Sequence, residues 1–145
     1  MTRRAVKIFS PVWFTPASEI AALLDIDQAA AAELKGDELD AALESVTEPP
    51  TRFKVRGLDG SQQAEVMPDC LMVSDDDIRI TAPAMYKIIK YGLVDWENFD
   101  DADGGPVRFS KNAKANQARL EYSDQVEIAG KVLELTFETA EDKKK

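Results

Sequence analysis

The feature that most constrains the fold is the proline pair Pro49-Pro50, which follows Thr47-Glu48. Consecutive prolines cannot continue a helix, so the helical pattern upstream has to end there. The break separates an Ala-rich part, residues 1–50, from a more mixed part, residues 51–145. Each part is small for an independent domain, whereas 145 residues suffice for one domain with a real core. We therefore expect a single compact unit.

The Ala-rich part predicts short helices that follow a strand. The segment Val6–Phe14 alternates weakly and is interrupted at Pro11, which is typical of an edge strand. Asp27 is predicted to cap a helix through the alanine run, and Gly36 to end it. Asp37 is predicted to cap a further helix, whose apolar residues recur at helical spacing.

The mixed part predicts strands and helices in alternation. The stretch Arg52–Arg56 alternates strictly, which places Phe53 and Val55 on one face of a strand. Thr81 is predicted to cap a helix that ends at Gly92. The predicted fold class is α-rich α+β, with about five helices and two to four short strands in one domain.

The final helix is predicted to be the longest, over residues 123–137, with Ser123 as its cap. Two apolar stripes run along it and together cover most of its circumference. The first stripe contains Val126, Ala129 and Leu133, and the second contains Ile128, Val132 and Leu135. Such a helix is either deeply buried or shared with a partner.

The charge balance disfavours two classes of partner. The net charge is −9, and an acidic field repels nucleic-acid phosphates. Residues 1–50 carry 4 basic and 9 acidic groups, giving −5, and residues 51–145 carry 14 and 18, giving −4. The negative charge is thus spread out, and neither part offers a basic platform. No apolar run approaches the roughly 18 residues of a membrane helix, so we expect neither a nucleic-acid nor a membrane partner.

The residue types needed for the commonest catalytic sites are missing. The chain has no histidine and one cysteine, Cys70, which excludes a Ser–His–Asp triad, a Cys–His dyad and a Cys/His zinc site. No phosphate-binding loop or dinucleotide fingerprint is present. Carboxylate catalysis stays open because acids are numerous, although no pair stands out. We expect no cofactor and no enzymatic activity.

The run Asp101-Ala-Asp103-Gly104 invites a comparison with calcium-binding loops. Aligned on Gly104, that pattern requires an acid at position 99 and a glutamate at position 110. Phe99 and Ser110 stand there instead, so the run is predicted to be a solvated turn.

A series of short motifs carries a family resemblance. The series consists of Gly92-Leu93, Trp96-Glu97-Asn98, the acidic turn at Asp103-Gly104, Phe109-Ser110 and the helix from Ser123. Over about residues 51–137 the chain resembles the tail assembly chaperones of long-tailed phages. Residues 1–50 are not covered by the resemblance.

The resemblance implies a non-enzymatic role in viral morphogenesis. The protein would act in the host cytoplasm, bind the aggregation-prone tape measure protein, promote tail-tube assembly and be absent from the mature virion. The tail-tube protein and a second copy of the chain are further candidate partners. The candidate contacts are apolar residues of two regions, Leu93, Trp96 and Phe99 in one and Val126, Ala129, Val132, Leu133 and Phe137 in the other. Core burial remains the alternative for all of them.

Two other functions stay open. The first is a virion structural protein, such as a head–tail connector or a tail subunit. The second is an acidic inhibitor that mimics DNA and blocks a host protein, for which the net charge of −9 is the support.

Overall fold

A three-stranded antiparallel sheet joins the two parts of the chain that the proline pair separates. The computed structural model describes residues 10–44, 46, 49–74 and 77–137. Numbered in chain order, the strands of this sheet are β1 (Val12–Phe14), β2 (Arg52–Val55) and β5 (Leu93–Glu97), in the order β1-β2-β5. Strand β1 is thus an edge strand supplied by the Ala-rich part, as predicted. It begins directly after Pro11, and residues 6–9 of the predicted strand lie outside the described residues.

The central strand β2 confirms the strict alternation of its sequence. Phe53 and Val55 are fully buried, whereas the cationic residues between and beside them are half-buried. The Phe53 ring makes edge contacts with Trp96 and Phe99, with ring centroids 6.4 and 5.8 Å apart. Such edge-to-face pairs stabilise a core beyond the area that they bury. The sheet therefore contributes an aromatic layer to the interior.

The other half of the core lies between helices α5 (Ala82–Gly92) and α7 (Tyr122–Thr136). Their contact face includes Ile88, Ile89, Ile128 and Val132, all almost completely buried. At Gly92 the two helices approach so closely that a Cβ atom would overlap both Cγ atoms of Val132. A glycine at this position is therefore a packing requirement.

Shorter elements complete the mixed part. Helix α4 (Gly60–Val66) begins at a capping box of Asp59 and Gln62 and continues into the 3₁₀ turn Met67–Asp69. Strands β3 (Leu71–Ser74) and β4 (Asp77–Arg79) form a separate two-stranded sheet. Helix α6 (Ala113–Gln117) is capped by Asn112, which accepts bonds from the amides of Lys114 and Ala115.

The Ala-rich part forms the short helices α1 (Ala17–Leu24), α2 (Gln28–Glu33) and α3 (Gly36–Leu43). Asp27 caps α2 as predicted, since its Oδ1 accepts from the amide of Ala30 at 2.8 Å. The predicted cap at Asp37 is wrong. The prediction that Gly36 ends the helix of the alanine run is also wrong, since α2 ends at Glu33 with Leu34 as its C-cap. Lys35 is the N-cap of α3, and the chain turns into this helix at Gly36, its first residue, at a φ of +58°. This turn needs the left-handed region that glycine favours, which leaves Asp37 inside the first helical turn.

The start of α7 also differs from its prediction. Glu121 is the N-cap, with extended backbone, and its carbonyl accepts the first helical bond, from Gln125 at 3.0 Å. Ser123 therefore lies within the first turn and does not cap the helix. Asp124 lies in the same turn, where a negative charge interacts favourably with the helix dipole.

The acidic segment 100–106 is a turn that satisfies its own backbone. Asp101 Oδ1 accepts bonds from the amides of Asp103 and Gly105 at 2.9 and 3.0 Å. Gly104 adopts a φ of +84°, and the returning chain donates from the Val107 amide to the Phe99 carbonyl at 2.8 Å. The predicted solvated turn is confirmed. Within the described ranges, no group of three or more metal-ligating side chains converges.

These elements confirm the predicted class, an α-rich α+β fold in a single compact unit. The described residues contain seven helices, five of them seven residues or longer, and five strands. The number of strands exceeds the predicted two to four, and no pattern in the sequence predicted β3. Across the described part of the chain, no helix is both long enough and apolar enough to cross a bilayer.

Candidate partner-binding cleft

The eight residues predicted to contact a partner do not form one surface. Leu93, Trp96, Ala129, Val132 and Leu133 are buried in the core of a single chain. Phe99 is half-buried against that core, while Val126 and Phe137 keep 44% and 43% of their surface exposed. At the five buried positions the structure shows the core-burial alternative, because α5 and β2 pack against α7.

A concave feature lies elsewhere, between the Ala-rich part and α7. It is a surface cleft of about 610 Å³, within the roughly 300–1,000 Å³ of typical binding pockets. Three groups of elements line it. They are the β1 region with Trp13 and Phe14, the helices α1 to α3 with Ile20, Ala31, Leu34 and Leu39, and α7 with Glu127, Gly130, Lys131 and Glu134.

The cleft continues into a second depression of about 360 Å³. The two share Trp13, Phe14 and Leu39, and the second one extends past Leu43 to Asn98. A single trough therefore runs from α7, across the edge strand, towards the proline pair. Its lining is mainly apolar and also includes charged side chains such as Lys35, Glu127 and Asp40.

One wall of the cleft is fixed by a carboxylate from the far end of the chain. Helix α1 follows Pro16, which has no side-chain acceptor to cap it. Instead, the carboxylate of Glu127 on α7 accepts from the amide of Ala17 at 2.7 Å and from that of Ser18 at 3.5 Å. An anion at a helix N-terminus is stabilised by the free amides and the helix dipole. Glu127 therefore anchors α1 to α7 and sets the separation of the two walls.

The carboxylates at this end of α7 crowd one another. Burial raises the pKa of Asp124, and the nearby charges of Glu121 and Glu127 raise it further. The Ser18 hydroxyl donates to Asp124 at 3.4 Å and lowers that pKa in part. Negative charge is thus concentrated where α1 meets α7.

Gly130 leaves a gap in the wall of the cleft that α7 forms. It is exposed in the middle of α7, it lines the cleft, and a Cβ atom there would have no neighbour within 4 Å. A glycine inside a helix costs roughly 0.5–1 kcal/mol relative to alanine. Gly130 was missed in the sequence, although a glycine within the longest predicted helix was a signal for it. Its effect is to leave open the space that a side chain would occupy.

The net charge is also more localised than the comparison of 1–50 with 51–145 indicates. Residues 17–44, which form α1 to α3, hold eight carboxylates and one lysine, a net −7 of the −9 of the whole chain. The cations Arg3, Arg4 and Lys7 offset part of this negative charge, so the net charge of residues 1–50 is only −5. Seven of the eight carboxylates are on exposed residues, at Asp25, Asp27, Glu33, Asp37, Glu38, Asp40 and Glu44.

Three cations near the trough, Lys131, Arg52 and Lys54, have acidic or aromatic neighbours, and Lys35 lines the cleft as a further cation. Lys131 pairs with Glu134 at 3.6 Å, and Arg52 pairs with Glu97. The Arg52 guanidinium and the Lys54 ammonium also lie over the Trp13 ring, at 5.1 and 5.6 Å from its centroid. These contacts leave the three cations less available to pair with acidic groups of a ligand.

Comparisons of the chain with protein-family models, with characterised proteins and with solved structures gave no match. The cleft, its acidic surroundings and the residues that build it are therefore the basis for a functional proposal.

Proposed function

We propose that the protein is a non-enzymatic protein-binding module that acts as a phage tail assembly chaperone. In this role it holds a helical segment of the tape measure protein in the host cytoplasm while tail-tube subunits assemble. It then releases the segment and stays out of the mature virion. The motif series over residues 51–137 supports the identity of the partner, and the cleft supports the mode of binding.

The observation that carries the proposal is the open, mainly apolar cleft between α1–α3 and α7. An amphipathic helix binds by laying its apolar face into such a groove. Trp13, Phe14, Leu34 and Leu39 supply apolar surface, and Gly130 leaves room for a side chain of the partner. Three of the four titratable lining groups, Glu127, Lys131 and Glu134, are engaged in the α1 cap or in an ion pair, an arrangement that suits binding better than proton transfer.

The exposed face of α7 offers a secondary contact. Tyr122, Val126 and Phe137 expose 71%, 44% and 43% of their surface and lie on one side of the helix. This side is next to Gly130 and hence next to the cleft. It suits the tail-tube protein or a second copy of the chain as an additional partner.

The proposal is tested by co-expressing the chain with a fragment of the tape measure protein encoded beside it. The wild type should keep most of the fragment in the soluble fraction. Gly130→Leu should lose this effect, because its side chain enters the cleft from a position where a Cβ atom has no neighbour within 4 Å. The matched control is Ala64→Leu, which adds the same side chain to an exposed position of α4. Failure of the folded wild type to solubilise any fragment would contradict the proposal.

A second candidate function, a DNA-mimicking inhibitor, is favoured by the net −7 on residues 17–44. Such an inhibitor competes with nucleic-acid phosphates for a basic protein surface. It should displace DNA from its target in a strongly salt-dependent manner, and Gly130→Leu should not weaken this displacement.

A virion structural protein is the third alternative. Mass spectrometry of purified particles tests it, since a structural protein is present there in stoichiometric amounts.

A further inference from the structure

We infer that the cleft selects a basic amphipathic helix, whose apolar stripe enters the cleft while its lysines and arginines face the acidic helices α2 and α3. The inference rests on the proposed function for the site and adds the chemistry of the partner. Two independent observations carry it: the apolar lining of the cleft and the charge of the surface around it.

The charge around the cleft has one dominant sign. Helices α2 and α3 present the exposed carboxylates of Glu33, Asp37, Glu38 and Asp40, against the single cation Lys35. Leu39 of α3 and Leu34, which lies between the two helices, line the cleft. Asp40 lines the second depression, and Glu33, Glu38 and Asp40 are sequence neighbours of these two leucines. An amphipathic helix in the cleft would therefore bring its polar flank towards these acids.

The cations near the cleft do not offset this field. Lys131 and Arg52 each pair with a glutamate, Glu134 and Glu97 respectively. At the α1 end, Glu127 and Asp124 add two more carboxylates to the same region. A helix with acidic flanks would meet like charge along the cleft, whereas a helix with basic flanks would meet opposite charge.

The shape of the cleft suits the apolar face of a helix. Its volume of about 610 Å³ is open to solvent and continuous with the second depression over Trp13 and Leu39. A row of apolar side chains at helical spacing fills such a trough, and the polar side of the helix stays in water. Gly130 allows the closest approach of the occupant to α7.

The test uses two fluorescein-labelled peptides of about 18 residues, long enough for five helical turns. Both carry the same leucine stripe, and their flanks are lysine in one and glutamate in the other. Fluorescence anisotropy with the full-length protein should show the lysine peptide binding about ten-fold or more tightly than the glutamate peptide. Its affinity should fall several-fold between about 50 and 300 mM salt, because exposed charges are screened.

Variants separate the cleft from nonspecific attraction. Gly130→Leu should weaken the lysine peptide about ten-fold, while Ala64→Leu should leave it unchanged. The double variant Glu38→Gln/Asp40→Asn should weaken it several-fold. The control Asp100→Asn/Asp103→Asn removes the same charge from the turn after β5 and should have a smaller effect. Circular dichroism confirms that each variant is folded.

Three outcomes would overturn the inference. Equal affinity for the two peptides would remove the electrostatic selection. Unchanged binding in Gly130→Leu would place the peptide outside the cleft. A concentration-dependent dimer in sedimentation that Gly130→Leu abolishes would assign the cleft to a second copy of the chain.

The result is separable from the proposed function. If the lysine peptide binds as expected but the tape measure fragment stays insoluble, the chaperone role fails and the selection of a basic helix stands. If the fragment is solubilised equally well by Gly130→Leu, the chaperone role stands and the cleft is not its site.

Discussion

Two glycines of the packed helices α5 and α7 serve opposite purposes. Gly92 ends α5 where the side chain of Val132 on α7 leaves no room for a Cβ atom, and Gly130 lies on α7 where a Cβ atom would enter open space. The first glycine enables close packing, while the second keeps a surface cleft open. A substitution by alanine at each position therefore has consequences of opposite sign.

We predict that Gly92→Ala lowers the free energy of unfolding by about 1–3 kcal/mol, because the added methyl group forces α5 and α7 apart. We predict that Gly130→Ala raises it by about 0.5–1 kcal/mol, because alanine has the higher helix propensity and meets nothing there. Urea midpoints of the two variants measure both effects. An unchanged urea midpoint for Gly92→Ala would contradict the close packing at Gly92, and destabilisation of Gly130→Ala would contradict the open space at Gly130.

Single residues whose role depends on local geometry were predictable from the sequence. Asp27 and Thr81 cap their helices, and Phe53 and Val55 are buried, because caps and strand alternation depend on a few neighbours. The role of Glu127 was not predictable. Its carboxylate caps a helix 110 residues away, a contact that only the tertiary fold creates.

At the scale of elements, α7 is the longest helix of the described residues, and it packs against both α5 and β2. Its length and its apolar circumference were predictable from the spacing of its apolar residues. Which side is covered was not, because periodicity does not specify the neighbouring element. The structure buries Ala129, Val132 and Leu133 and leaves Val126 and Phe137 exposed, so three of the five partner contacts predicted on α7 are in the core.

The attachment of α1 to α7 gives a prediction for Glu127→Ala. Loss of the carboxylate leaves the amides of Ala17 and Ser18 without this cap, which should lower the free energy of unfolding by about 1 kcal/mol. Glu134→Ala on the same helix removes an exposed ion pair and should cost less than about 0.5 kcal/mol.

Chemical denaturation compares the two variants, and amide exchange localises the effect. Faster exchange in residues 17–24 of Glu127→Ala alone is the expected pattern. Identical denaturation curves for Glu127→Ala and the wild type would show that another contact holds α1.

At the scale of the whole molecule, the cleft joins segments that are distant in sequence. Trp13 lies on β1, Leu39 lies on α3, and Gly130 lies on α7, near the end of the described residues. No local pattern brings them together, so the fold class could be predicted from the sequence and the cleft could not. The concentration of acidic residues in 17–44 can be read from the sequence, but the net charges of residues 1–50 and 51–145 do not reveal it.

We propose that the protein holds a helix of another polypeptide in this cleft. Hydrogen–deuterium exchange of the protein with and without the co-purified tape measure fragment tests it directly. Exchange should slow in the three segments that build the cleft, residues 12–20, 31–39 and 127–134, and stay unchanged in the turn at 100–106. Protection confined to α4, α6 or that turn, with the cleft segments unaltered, would contradict the account.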